Sequence, residues 1–175
     1  MLFKYWVVCF LLFILFIQAR ASSFMPAVTN YLAKDYEAGY QNWACAQGSN
    51  GEMYFGNSQG LLVYDGYRWT LHKVPGNHIV RSVYVKEDRI YVGAFEEFGY
   101  FKYSEAGTLR YHSLSKFLKN FPMENNEIWN IVELDGRIYF QSFSAWFSYD
   151  GKMVHAFRNR QQQPLYFYTQ NGHIY

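Results

Sequence analysis

"GRIYFQS", residues 136–142, reads as a turn running into a strand: a glycine, a charged residue, a β-branched residue, then a tyrosine that opens an apolar stretch. "GEMYFGN" at 51–57 and "DRIYVGA" at 88–94 read almost the same way, a Gly or charged turn leading into an apolar residue and then tyrosine. The chain closes on "QNGHIY", 170–175, at the same point of the pattern. Tyr54, Tyr91, Tyr139 and Tyr175 therefore stand 37, 48 and 36 residues apart. A period of that size marks stacked repeat units, each a small supersecondary structure.

Working outward from each tyrosine gives the unit. A second tyrosine follows the first three, at Tyr64, Tyr103 and Tyr149, and ahead of each repeat lies another apolar segment: "NWACAQ", "IVRSVYV", "IWNIVEL" and "LYFYTQ". Behind the second tyrosines come turns containing Gly66, Gly107 and Gly151, then a further short run such as "RWTLHKV", "LRYHSL" or "KMVHAF". Asp-Gly at 65–66 and 150–151 supplies the positive φ that a tight hairpin turn requires. The runs are rich in Tyr, Phe, Trp, Val and Ile, the residues that suit a pleated surface. Only "SLSKFLKNF", 113–121, has spacing fit for a turn or two of helix, and Pro122 ends it. Four antiparallel strands per unit make a propeller blade, whose faces have no core until blades stack. The chain reads as all-β: a partial β-propeller of about three complete four-stranded blades, 41–76, 77–122 and 123–164, with the start of a fourth at 165–175 and a lead-in segment at 22–40.

Residues 1–21 have the form of an export signal. Lys4 precedes an apolar run of 13 residues, Tyr5–Ile17, and Ala19-Arg20-Ala21 satisfies the small-x-small rule for cleavage. The run is short of the roughly 20 apolar residues that span a membrane. Cleavage after Ala21 leaves 14 basic against 14 acidic residues, so no basic footprint for nucleic acid remains. It also leaves a single cysteine, Cys45, which excludes an internal disulfide; between Trp43-Ala44 and Ala46 it reads as a small buried hydrophobe.

One end of a propeller axis is built from the loops between second and third strands and from the connections between blades. Here those are 57–59, 94–98 and 141–144, with 77–78 and 124–127. The ligand-binding candidates are Phe95, Glu96 and Glu97, whose loop is longer and mixes aromatic with acid, together with Asn57, Gln59 and Ser142. Phe95 and Phe98 equally suit a structural corner that plugs a gap between blades. Catalysis is not expected: glycoside hydrolysis needs two carboxylates about 5 to 9.5 Å apart across a sugar, and adjacent strand residues such as Glu96 and Glu97 point to opposite faces. His72, His112 and His155 fall in fourth strands of different blades, without common register, so no metal site is expected from them, and no cofactor.

The stretches "YFGNSQGLLVYDGYRW", "IYVGAFEEFGYF" and "EIWNIVELDGRIYFQSF" resemble the periplasmic two-component-regulator propeller repeats of large bacterial one-protein sensors. The resemblance runs from Pro26 to Tyr175. In that family the propeller is followed by a triple-tyrosine domain of immunoglobulin type, a membrane helix, and a hybrid histidine kinase or a LuxR-type helix-turn-helix. The resemblance implies an exported, non-catalytic, ligand-sensing propeller segment of a receptor, with carbohydrate or another environmental polymer as ligand, and a membrane reached only through downstream segments. No kinase or DNA-binding residue of this chain can be named. The other readings are the substrate-binding propeller part of a secreted carbohydrate-active enzyme and a protein-binding propeller. Three blades fall short of the about four to eight that close a ring, so open faces at both ends are expected to meet further blades or a second propeller chain.

Expressed with residues 1–21 in a secreting host, the chain should be trimmed to a mass that begins at Ser22. Recovery of the intact N-terminus from the membrane fraction would overturn the export reading.

Overall fold

The computed structural model describes residues 5–6, 26–119, 121–123, 125–158, 166, 168–170 and 173–174. Two compact units are separate, 1–30 and 31–175. Within the first, the proposed signal sequence lies outside the described residues except for Tyr5 and Trp6. No helix among the described residues is long and apolar enough to cross a membrane.

The second unit holds three four-stranded antiparallel sheets, each in simple meander order. The first contains β1 (Asn42–Gln47), β2 (Met53–Asn57), β3 (Gly60–Tyr64) and β4 (Trp69–His72). The second contains β5 (Val80–Lys86), β6 (Arg89–Ala94), β7 (Phe98–Tyr103) and β8 (Leu109–Ser113). The third contains β9 (Asn130–Leu134), β10 (Arg137–Gln141), β11 (Ala145–Tyr149) and β12 (Val154–Arg158). A short pair, β13 (Thr169–Gln170) and β14 (His173–Ile174), follows. The chain is thus an all-β array of propeller blades.

Period-2 alternation decides how the blades stack, because each sheet is apolar on both faces. Tyr54, Leu61 and Val63 point forward from the first blade and pack with Val80, Ile90, Val92 and Phe101 of the second. Tyr91 and Phe98 point forward from the second blade onto Ile138, Phe140 and Phe147 of the third. Phe98 sits at the centre of that interface, 4.6 Å from the Phe140 ring and 4.9 Å from the Phe147 ring. Tyr54 and Tyr91 of the repeat are therefore forward-facing core residues of their blades.

Glycine lets neighbouring inner strands approach. A Cβ on Gly56 would lie 2.8 Å from the Val80 carbonyl oxygen, and one on the equivalent Gly93 would collide with its own blade's Ser82 and with Ile128, just ahead of β9. The Asp-Gly turns are each organised by the aspartate side chain. Four residues separate β3 from β4, and Asp65 Oδ1 accepts the N–H groups of Tyr67 and Arg68 at 2.8 and 2.6 Å. Asp150 Oδ1 does the same for Lys152 and Met153. In both turns the preceding tyrosine hydroxyl, Tyr64 or Tyr149, donates to the glycine carbonyl at 2.8 Å. The glycines keep the expected positive φ, 97° at Gly66 and 95° at Gly151.

The backward face of the first blade, expected to be bare, is covered by the lead-in. A short helix, α1 (Ala33–Tyr36), buries Tyr36, and the rings of Tyr31 and Tyr36 lie 5.2 and 5.5 Å from Trp69. The hydroxyls of Tyr31 and Tyr64 meet at 2.9 Å. The cover stops short of β1, which corrects the reading of Cys45: it is exposed, not buried. Val83 and Ile131 stand at the same register in the second and third blades, and each packs against the core made with the preceding blade.

Two substitutions test the stacking in urea melts. Phe98→Ala should lower the unfolding free energy by about 3–5 kcal/mol, and Gly93→Ala by about 1–3 kcal/mol through overpacking. A neutral Gly93→Ala would contradict the close approach of β6 to the third blade.

Candidate functional site

The loops between second and third strands share one end of the blades with the blade-to-blade connections. The six residues expected there have different fates. Asn57 is fully buried; its amide donates to the Gly39 carbonyl at 2.7 Å and its oxygen accepts the Gly39 N–H at 3.0 Å, so it fastens the lead-in. Ser142 is buried and donates to Asn126 Oδ1 at 2.6 Å. Phe95 pairs with Glu127 in an isolated bridge and lies half-buried, 5.7 Å from the His78 ring. Gln59 and Glu96 are exposed.

Glu96 and Glu97 diverge. Glu96 takes a left-handed backbone, φ 54°, and its Oε1 accepts the Asn125 N–H at 2.8 Å. Glu97 turns into its own blade, where Oε1 accepts the hydroxyls of Tyr111, Ser113 and Ser115 at 3.0, 2.9 and 2.7 Å. Burial, and next the Glu97 charge, hold the Tyr111 hydroxyl well above its ordinary pKa, so it remains a donor. The two carboxylates thus turn to different partners.

Three residues that sequence reasoning missed meet at this end. Trp43 on β1, Arg81 on β5 and Trp129 just ahead of β9 occupy equivalent places on the three inner strands. At the first two, the pairing register shifts between Asn42 and Ala44 and between Val80 and Ser82, so Trp43 and Arg81 are the extra residues of β-bulges. Bulges re-aim side chains. The guanidinium carbon of Arg81 sits 3.8 Å over the Trp43 ring and 4.8 Å from the Trp129 ring centre. Arg81 Nε donates to Glu127 Oε1 at 2.5 Å, with the two side chains only 13% and 20% exposed. Arg81 Nη1 is closed from solvent and has no protein partner. Phe143 extends the cluster, 5.8 Å from Trp129, and is 48% exposed; Trp43 is 41% exposed and its Nε1 donates to Ser58 Oγ at 3.3 Å. Open rings of Trp43 and Phe143 beside the Arg81–Glu127 pair, where residues of all three blades meet, mark this mouth as the candidate site.

A second polar cluster lies at the opposite end of the first two blades. Tyr54, Tyr103 and Asn50 donate to Glu52 Oε2 at 2.6, 2.8 and 2.7 Å, beside a cavity of about 330 Å³ lined by Tyr54, Tyr103, Glu87 and Asp88. Burial and the Glu52 hydrogen bond push the Tyr54 hydroxyl up to about 12. Of the histidines, His72 is half-buried beside Phe101, and burial holds it below its ordinary pKa. His112 stacks on Tyr100 at 5.0 Å. Among the described residues no group of three His, Cys, Asp or Glu is placed to hold a metal.

No family model and no curated protein sequence matches the chain. Solved structures do. The extracellular domain of BT4673, a hybrid two component system of B. thetaiotaomicron, superposes with a TM-score of 0.58 at 18% identity, covering 79% of this chain and 19% of that one. Virginiamycin B lyase from Staphylococcus aureus, solved with quinupristin, gives 0.57 at 11% identity, covering 77% and 46%. YCF48 from Cyanidioschyzon merolae gives 0.51 at 13% identity, covering 73% and 43%. These are propeller proteins, and the likeness establishes the blade architecture. The chain spans about a fifth of the BT4673 domain.

Removing Glu127 leaves a buried cation unanswered, whereas Asp88 pairs with Lys102 in the open. Glu127→Gln should therefore cost about 3 kcal/mol of stability, against less than about 1 kcal/mol for Asp88→Asn. Equal costs would mean that Arg81 is solvated and not sandwiched.

Proposed function

We propose that this chain is the ligand-reading propeller segment of an exported receptor that feeds a two-component or one-component transcriptional response. Two supports are independent of each other. The chain's own repeats resemble sensor propeller repeats over their whole length, and its blades superpose on the extracellular domain of a hybrid two component system. The observation that carries the reading is the open aromatic mouth at one end of the blades. A reception site must be reachable from solvent, and propellers assemble such sites from several blades. The signalling output belongs to no residue of this chain. Periplasmic or secreted placement follows from the Tyr5–Ile17 run and the Ala19-Arg20-Ala21 site.

The enzymatic alternative draws on the likeness to virginiamycin B lyase. The divergence of Glu96 and Glu97 toward different partners supports the receptor over a hydrolase that works with two facing carboxylates.

Deleting the gene in its native host and comparing transcripts across a panel of polysaccharide carbon sources tests the receptor reading. Loss of induction of a discrete set of genes on one carbon source is expected. An unchanged transcriptional response, with loss of an extracellular polysaccharide-cleaving activity, would overturn it in favour of the enzyme.

A further inference from the structure

We infer that the outer edge of the third blade is a docking site for an acidic, extended segment of a partner protein, which adds to β12 as a further strand. A groove of about 630 Å³ runs between Phe117, Leu118 and Phe121 of the blade-to-blade connection on one side and residues 152–156 on the other. Those five residues are consecutive, and the side chains of a strand alternate between its faces. The groove therefore follows the edge of β12 and not one face of the sheet. Among the described residues β12 has a strand neighbour on one side alone, β11. The Asp150 N–H donates to the Met153 carbonyl at 3.4 Å, which sets the alternation of the ladder: His155 and Phe157 bond toward β11, while Val154, Ala156 and Arg158 turn N–H and C=O outward. The bond from the Ser142 N–H to the Ala145 carbonyl, 2.8 Å, agrees, because it turns Ala145, Phe147 and Tyr149 toward β10.

The floor of the groove is apolar and its rim is basic. Leu118, Phe121, Val154 and Ala156 pack against the core between second and third blades and are only partly buried. Phe117 and Met153 border them, 58% and 57% exposed. Lys119 and Lys152 line the groove, Lys116 lies 5.0 Å over the Phe117 ring, and Arg158 lies 4.7 Å over the Phe121 ring. None of these four cations has a salt-bridge partner among the described residues. Asp150, in the adjoining turn, spends Oδ1 on the N–H groups of Lys152 and Met153 at 2.9 and 2.8 Å.

Together these features select the occupant. An added strand gives the outward ladder groups their partners, lays every second side chain on the apolar floor, and brings carboxylates to the basic rim. A second copy paired through the same edge would set like charges, Lys152 and Arg158, against each other, the device by which edges are kept apart. A bilayer has no hydrogen-bond partners for an open ladder. The surface belongs to the outermost strand, whereas the mouth is built on inner strands, so this docking goes beyond the receptor reading and does not rest on it.

Fluorescence anisotropy of short labelled peptides titrated with the full chain tests the proposal. The probes are an acidic peptide in which glutamate alternates with valine, phenylalanine and leucine, its counterpart with lysine for every glutamate, and the acidic peptide with N-methylated backbone at alternate residues. The acidic peptide should bind, and more weakly as salt is raised; the other two should not. Lys119→Glu combined with Lys152→Glu should weaken the acidic peptide about tenfold or more and admit the lysine peptide. Both side chains are exposed, so the double variant should keep the wild-type urea midpoint. Acidic-peptide binding that the double variant leaves unchanged would overturn the site, and equal binding of the N-methylated peptide would overturn strand addition. Two further results would each replace the proposal if no peptide binds: capture by phosphatidylglycerol vesicles, which would make this a membrane surface, and dimerisation abolished by Met153→Asp, which would make it an interface between copies. Failure of every probe overturns the docking site, while the transcript comparison tests the receptor reading separately.

Discussion

Each four-stranded sheet among the described residues carries apolar side chains on both faces, so each blade has two surfaces that gain from being covered. Everything else in the fold follows from how that demand is met. The second blade meets it with its neighbours: Val92 and Phe101 go back into the first interface, Tyr91 and Phe98 go forward into the second. The first blade meets it on one side with the second blade and on the other with Tyr31 and Tyr36 of the lead-in. The third blade presents Tyr139, Trp146 and Phe157 on its forward face, where the last two stack at 3.9 Å and Phe157 stays 42% exposed. Burial of this kind is worth about 25 cal/mol per Å² of apolar surface, supplied mainly by aliphatic side chains in the first interface and by rings such as Phe98, Phe140 and Phe147 in the second.

Stacking has a geometric consequence for function. Side-by-side blades bring their inner strands together, and the glycines at 56 and 93 let that approach be close. Three residues far apart in the chain, Trp43, Arg81 and Trp129, then meet at one mouth. The bulges on β1 and β5 turn two of these side chains toward each other, at the expense of ladder regularity. The same contacts that lock the blades therefore shape the candidate site, which couples its integrity to the stability of both interfaces.

Much of this was legible because it depends on local rules. Period-2 alternation, the tyrosine repeat and the turn glycines set the strands, and those strands placed the loops at 57–59, 94–98 and 141–144 at one end. What local rules could not supply was how side chains spend their hydrogen bonds. Asn57 and Ser142 have polar groups that look available in sequence, yet Gly39 and Asn126 consume them. Glu97 is spoken for by three hydroxyls of its own blade. The aromatic mouth was hidden by an offset of one residue: Trp43 stands eleven residues ahead of its tyrosine, Arg81 and Trp129 ten. Registering the inner strands through their pairings, Ala46 with Tyr54, Tyr84 with Tyr91 and Val132 with Tyr139, removes that offset and exposes the column. Cys45 was misread because its burial would have to come from a neighbour on the backward face of the first blade, which neighbouring letters do not reveal.

The central claim is that inner strands of separate blades meet through the Trp43–Arg81–Trp129 cluster. A double-mutant cycle on urea unfolding, with Trp43→Leu, Arg81→Met and the pair, measures the contact between first and second blades directly. The stacked geometry predicts a coupling of about 0.5–2 kcal/mol. Additive effects, within about 0.3–0.5 kcal/mol, would show that the two side chains do not touch, and the converging mouth would have to be abandoned.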